Sequence, residues 1–241
     1  MISRLLIAIF CFCFSFQTLS QTLTISSATT SGSNWSLSGG VLTVSGTANI
    51  QASVIENALL NGDLSIIGST SSFVVNVNQE INSSVIGNDL TIGGTTNSGA
   101  ITFSSDLTIA GGLVVRGGDV QINSNITSTA TGNLFFQGSS DGWSIRLATA
   151  KTIEKTAGTG LLTFQGNGRI NSHVNVGSIL ASGTAQLDVV MIAEMDDGTA
   201  GLYNVSTGNI STNGGKIWIG AGAKTRTWNG LSVGSTGVPG N

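Results

Sequence analysis

The feature that most narrows what this chain can fold into is a short phrase that keeps returning. Gly62-Asp63-Leu64-Ser65-Ile66 comes back as Asn88-Asp89-Leu90-Thr91-Ile92, as Ser105-Asp106-Leu107-Thr108-Ile109 and, more loosely, as Gly118-Asp119-Val120-Gln121-Ile122. A second echo pairs Asn133-Leu134-Phe135-Phe136-Gln137-Gly138 with Gly160-Leu161-Leu162-Thr163-Phe164-Gln165-Gly166. A third runs Ile81-Asn82-Ser83, Ile122-Asn123-Ser124 and Ile170-Asn171-Ser172. The separations are irregular: 26 residues from Asp63 to Asp89, 17 from there to Asp106, and 28 between the two Phe-containing units. Irregular echoes of this size suit a solenoid whose coils vary at their corners.

The phrase belongs to a wider pattern. From Thr22 onward, short apolar or β-branched runs such as Val41–Val44, Leu64–Ile67, Phe73–Val77, Ile101–Phe103, Leu113–Val115 and Ile217–Ile219 alternate with Gly, Asn, Asp or Ser turns. These runs have high β propensity. Pairs such as Asn61-Gly62, Asn213-Gly214 and Asn229-Gly230 supply the positive-φ positions that sharp corners need. No 3.6-residue period is sustained for three turns, and the chain's 34 Gly, 32 Ser, 28 Thr and 20 Asn disfavour long helices.

An all-β fold follows, and two architectures compete for it. A tandem of β-sandwiches uses strands of about 5 to 6 residues. Here the strands are shorter and recur with the same sequence, which a parallel β-helix (β-solenoid) explains by laying each strand on its equivalent in the coil before. Stacked coils place like on like, so Asn can hydrogen-bond along a ladder while Val, Ile, Leu and Phe fill a dry interior. At roughly 20 to 28 residues per coil the chain makes about eight to eleven coils, a rod roughly 40 to 50 Å long.

Residues 1–20 carry an address. Met1-Ile2-Ser3-Arg4 is a short basic start, Leu5–Phe16 is apolar, and small residues stand at Thr18 and Ser20, which reads as a secretory signal peptide cut before Gln21. The apolar run is too short to span a bilayer. Cys11 and Cys13, the only cysteines, leave with it. A mature chain of 221 residues without a thiol points to a bacterial exoprotein. Its 8 basic and 12 acidic residues are scattered, with no basic stripe for phosphate, so no nucleic acid partner is expected. No transmembrane segment is expected in the mature chain.

The run Ile101–Gly138, ITFSSDLTIAGGLVVRGGDVQINSNITSTATGNLFFQG, resembles the repeat region of filamentous-haemagglutinin-like and related β-strand-repeat surface adhesins of Gram-negative bacteria. Recognisable units extend from Asp63 to Gly166. The resemblance implies a right-handed parallel β-helix in a long exported adhesin, secreted or held at the cell surface.

Catalytic chemistry is sparse. Gly138-Ser139-Ser140-Asp141-Gly142 matches a nucleophile elbow, but that motif needs a helix after the Ser, whereas Trp143, Ile145 and Leu147 alternate as a strand. His173 has no companions at zinc spacing. Asp196-Asp197, with Glu194 nearby, could offer oxygen ligands to Ca²⁺ and reads better as a solvated turn. The Gly-Gly pairs at 39, 93, 111, 117 and 214 lack the aspartate nonapeptide of calcium-binding β-rolls. Of the four Trp, at 35, 143, 218 and 228, at least two are expected to cap the core or pack at corners. No residue is nominated as catalytic, cofactor-binding or metal-ligating, and no cofactor is expected.

The leading expectation is a structural and adhesive segment of an exported bacterial surface protein, not an enzyme. Its partner would be a surface ligand such as a glycan or a host or neighbouring cell. A carbohydrate-active β-helix lyase or hydrolase is the alternative, and would need acids from adjacent coils converging on one face. An ice-binding solenoid, a second alternative, would need a flat face of regularly spaced Thr. The T-x-T pairs Thr22/Thr24 and Thr225/Thr227 stand at opposite ends. The Gly-rich finish from Thr227 to Asn241, with the only Pro, has no polar cap, so residues 21–241 are expected to be the N-terminal part of a longer protein.

Overall fold

The computed structural model describes residues 21–140, 143–148, 150–166, 169–172, 177–193, 203–205, 208–221 and 226–233. Residues 1–20 and 234–241 lie outside them.

Short strands separated by corners can bury their alternate residues only against other strands of the same chain, and here they do so by coiling. After an N-terminal segment made of β1 (Thr22–Ile25), β2 (Trp35–Ser38), β3 (Val41–Val44), β4 (Thr47–Ile50) and α1 (Ala52–Leu60), the chain settles into a three-strand rhythm. The first two rounds are β5 (Leu64–Gly68), β6 (Val74–Val77), β7 (Ile81–Ser83) and β8 (Leu90–Ile92), β9 (Ile101–Phe103), β10 (Leu107–Ile109). The next two are β11 (Leu113–Gly117), β12 (Val120–Ile122), β13 (Ile126–Ser128) and β14 (Leu134–Gly138), β15 (Trp143–Leu147), β16 (Thr152–Lys155). Then come β17 (Thr159–Gly166), β18 (Arg169–Ser172), β19 (Ser178–Ala181) and β20 (Gln186–Ala193), β21 (Tyr203–Val205), β22 (Ile210–Ser211). β23 (Ile217–Ala221) opens a further round, and β24 (Arg226–Trp228) with β25 (Leu231–Val233) forms a hairpin.

Strands three apart in sequence are neighbours in space, giving three parallel sheets. Sheet B runs β3-β5-β8-β11-β14-β17-β20-β23, sheet A runs β1-β6-β9-β12-β15-β18-β21, and sheet C runs β7-β10-β13-β16-β19-β22. This is a β-solenoid of about seven turns. Parallel pairing one coil apart excludes the sandwich tandem, which would be built from antiparallel hairpins. Nine strands of sheet B, counting β2, are separated by eight spacings of about 4.8 Å, which makes the rod about 38 Å long. The coil count falls below the eight to eleven expected because residues at both ends build other things.

At the N-terminal end β1 inserts between β4 and β6, with Leu23 opposite both Ala48 and Val75. β2 folds back antiparallel on β3. The helix occupies the place where sheet C would continue and lies on β7. The sequence reading missed it, yet its signal is there: Ala52, Ile55 and Leu59 are the buried residues, spaced for one helical face. Its first free N–H, at Ala52, donates to Oε1 of Gln79 at 2.9 Å, and Glu56 Oε1 accepts the N–H of Asn82 on the edge strand β7 at 2.8 Å. The helix therefore covers an edge that would otherwise invite pairing.

Inside, each three-residue strand from β7 to β13 turns its first and third side chains to the core, so like stacks on like. The second echo is true stacking: Leu134 lies on Leu162, Phe136 on Phe164, Gln137 on Gln165 and Gly138 on Gly166. The first echo recurs by sheet as well as by coil. Asp63 to Asp89 is one full coil in sheet B, whereas Asp89 to Asp106 crosses from sheet B to sheet C, hence the short step of 17 residues. The third echo does not stack, since Ile81 begins a strand of sheet C, whereas Ile122 ends a strand of sheet A and pairs through Leu147 with Ser172.

Candidate functional surface

The interior is filled mainly by apolar side chains, so a partner meets what the coils present outward. In sheet A the middle residue of each strand forms an outer row, Asn49–Thr24–Asn76–Thr102–Gln121–Arg146, continued in register by Asn171 and Asn204. The row holds amides, hydroxyls and one guanidinium, and no carboxylate. Two of its members are fixed by Asp119: Gln121 Nε2 donates to Asp119 Oδ2 at 2.7 Å, and Arg146 forms an ion pair with the same oxygen. Asp119 Oδ1 and Arg146 Nε are buried without a partner among the described residues.

Sheet B is different outside. Its outer row runs Ser65–Thr91–Val114–Phe135–Thr163–Val190–Trp218, with Arg116 lying over the Phe135 ring at 5.2 Å. Burial lowers the Arg116 pKa from its ordinary value. Val190, Ile192, Leu231 and Val233 form a second small core, with Leu161 and Trp218 against it. The β24–β25 hairpin thus lies over the outer face of sheet B, turning at Asn229-Gly230 in the positive-φ geometry that a tight hairpin needs. Lys216 Nζ holds that turn by donating to the Asn229 carbonyl at 2.7 Å.

Most of the described acids are engaged at corners. Asp63 Oδ1 accepts the N–H of Asp89, Asp89 Oδ1 that of Gly112, Asp106 Oδ1 that of Asn125 and Asp188 Oδ1 that of Lys216, at 2.6 to 2.9 Å. Asn133 and Asn125 do the same for Leu161 and Thr152. Glu154 accepts from the Ser182 hydroxyl at 2.6 Å. Among the described residues no three His, Cys, Asp or Glu are grouped to hold a metal ion.

One titratable group escaped the sequence reading. Lys155 takes an inward position on β16 and is fully buried, between Ser128 and Ala181 of the adjoining coils. Its ammonium donates to Ser128 Oγ at 3.0 Å, to the Gly132 carbonyl at 3.2 Å and to the Ala130 carbonyl. Desolvation lowers its pKa. The alternation Thr152-Ile153-Glu154-Lys155 was the available signal, since Ile153 pointing in forces Lys155 in as well.

Only some of the residues weighed from sequence fall among the described ones. Ser140 stands at the corner from β14 to β15, its N–H donating to the Gly118 carbonyl at 2.8 Å, and a strand follows it where an elbow would need a helix. His173, Glu194, Asp196 and Asp197 lie outside the described residues, as does Thr225. Trp35 and Trp218 pack against the two apolar clusters, and Trp228 is exposed. Outward Thr stacks on Thr at Thr22–Thr47 and Thr108–Thr127 among the described residues. No described helix is long and apolar enough to cross a membrane. Comparisons with family models, with curated proteins and with solved structures gave no match.

Proposed function

We propose that this chain is a structural and adhesive segment of an exported bacterial surface protein of the filamentous-haemagglutinin-like kind, with no catalysis of its own. One observation carries the reading: seven of the eight described acids, Glu56, Asp63, Asp89, Asp106, Asp119, Glu154 and Asp188, are engaged in hydrogen bonds or an ion pair that join or cap coils. A polysaccharide-cleaving solenoid needs such groups free and converging on a sugar. A rod of stacked coils instead holds a surface at a distance. The outer row of sheet A, free of carboxylates, offers mainly amide and hydroxyl groups at strand spacing, suited to a glycan or to another cell's surface.

The test is made on living cells. Antibody raised against the chain should label intact, unpermeabilised cells of the source bacterium, and deleting the gene should lower attachment to glycan-coated or cellular surfaces, with recovery on complementation. Labelling only after permeabilisation, or unchanged attachment, would sink the reading.

A further inference from the structure

We propose that copies of this chain stack end to end, the C-terminal end of one solenoid seated on the N-terminal end of the next. One interior row of sheet B runs the whole length of the rod. It starts at Leu37 on β2, passes through seven buried residues from Leu42 to Met191, and ends at Ile219 on β23. The two terminal members hold core positions and are nevertheless 39% and 41% exposed. Among the described residues the apolar interior is open at both ends of this sheet.

Single exposed apolar residues are ordinary, but here they are sorted. Among the described residues, the large exposed hydrophobics are Leu37, Val41 and Leu60 at the N-terminal end, Ile217, Ile219 and Trp228 at the C-terminal end, and Ile86 alone elsewhere. Beside β2 lies a groove of about 470 Å³ between the β2–β3 hairpin and the end of α1, lined by Leu37, Ala58 and Asp63 among others. It has room for an indole, and Trp228 is an exposed indole at the opposite end.

Charge is sorted the same way. From Gln21 to Val115 the sequence has five acids, Glu56, Asp63, Glu80, Asp89 and Asp106, and no Lys or Arg. From Gly198 to Asn241 it has Lys216, Lys224 and Arg226 and no acid. Like ends repel and unlike ends attract, which selects head-to-tail over tail-to-tail association.

The backbone is compatible with that direction. Among the described residues β2 pairs only with β3, and β23 only with β20, so there sheet B presents an unpaired edge at each end. β2 is antiparallel to the rest of the sheet, so β23 of one copy would meet β2 of the next as an antiparallel neighbour. After β23 the next described element is the hairpin, which packs on the outer face of sheet B and not on its edge. A contact between two different ends does not close on itself, so the product is a growing rod. This inference stands apart from the adhesive reading and fails separately from it.

The experiment uses the chain purified as an expression host exports it, studied by sedimentation velocity and negative-stain microscopy. Rods should lengthen with concentration in steps of about 43 Å, nine strands at ~4.8 Å, and association should weaken about tenfold between ~50 and ~500 mM salt. Leu37→Lys blocks one end, with Leu60→Lys as a second variant at the same end, and Trp228→Lys blocks the other; thermal melting checks that each is folded. Each variant alone should remain a monomer, while a Leu37→Lys and Trp228→Lys mixture should form dimers and nothing longer. A wild-type chain that stays monomeric at every soluble concentration would overturn the proposal. So would a singly blocked variant that still dimerises, or folded variants that fail to pair when mixed.

Discussion

The carboxylate of Asp89 accepts the backbone N–H of Gly112, one coil further along the rod, at 2.6 Å. Asp63 makes the same bond to Asp89 itself, so the recurring Asp of the sequence is a bracket between successive corners. A charge-assisted bond of this kind contributes more than a neutral one. Asp89→Ala should cost about 1–3 kcal/mol, because the Gly112 N–H loses its acceptor. Asp89→Asn, which keeps an oxygen there, should cost less. Urea unfolding of the two variants measures the difference.

Phe136 and Phe164 stack in the interior with ring centroids 5.3 Å apart, inclined at 66°. Phe136→Ala opens a void within the stack and should destabilise the chain by about 3–5 kcal/mol. Phe136→Leu, which refills most of the space, should recover the larger part of the melting temperature.

Gly93 follows β8 with φ +83°, and a Cβ built there would stand 1.9 Å from the Arg116 carbonyl oxygen of the next coil. Backbone cannot yield as a side-chain tip can. Gly93→Ala should therefore cost more than the 1–2 kcal/mol, roughly, of a left-handed residue alone. Gly39→Ala, also at positive φ but with open space around it, isolates the conformational part. Equal losses for the two would refute the close-approach account.

Lys155 gives the fold a pH dependence of known sign. Burial lowers the folded-state pKa, so the unfolded chain binds the proton more tightly. The cost of a charged amine in the interior is full below the folded pKa and is relieved as pH rises from there to about 10.4, the unfolded value. Stability should climb with pH across that window, and Lys155→Met should flatten the climb. Removing the ammonium also orphans the Ala130 and Gly132 carbonyls. Lys155→Ala, which adds a cavity, should consequently be the less stable of the two substitutions.

The strands were legible because alternation and stacking reinforce one another: Leu90-Thr91-Ile92 is recognisable alone and again through its partners Leu64–Ile66 and Leu113–Val115. The corner acids were visible as the repeated Asp before Leu, though not what they bind, since their acceptor role depends on a backbone N–H about two dozen residues away. The ends were the least legible part. β1 reads as a first coil strand but is set between β4 and β6, and nothing local in Thr22–Ile25 distinguishes the two arrangements. Likewise Trp218 and Val190 give no local sign that the hairpin covers them. The outer row of sheet A emerged only once register placed Asn76, Thr102 and Gln121 in one line.

The placement of β1 bears on how the rod carries load. A terminal strand at a sheet edge can be unzipped one bond at a time, but Thr22–Ile25 is gripped on both sides, by Thr47–Ile50 and by Val74–Val77. Tension drawn along β1 through the N-terminus must shear both rows of bonds together before any coil loosens. Thr22–Ile25 thus acts as a mechanical clamp on the rod.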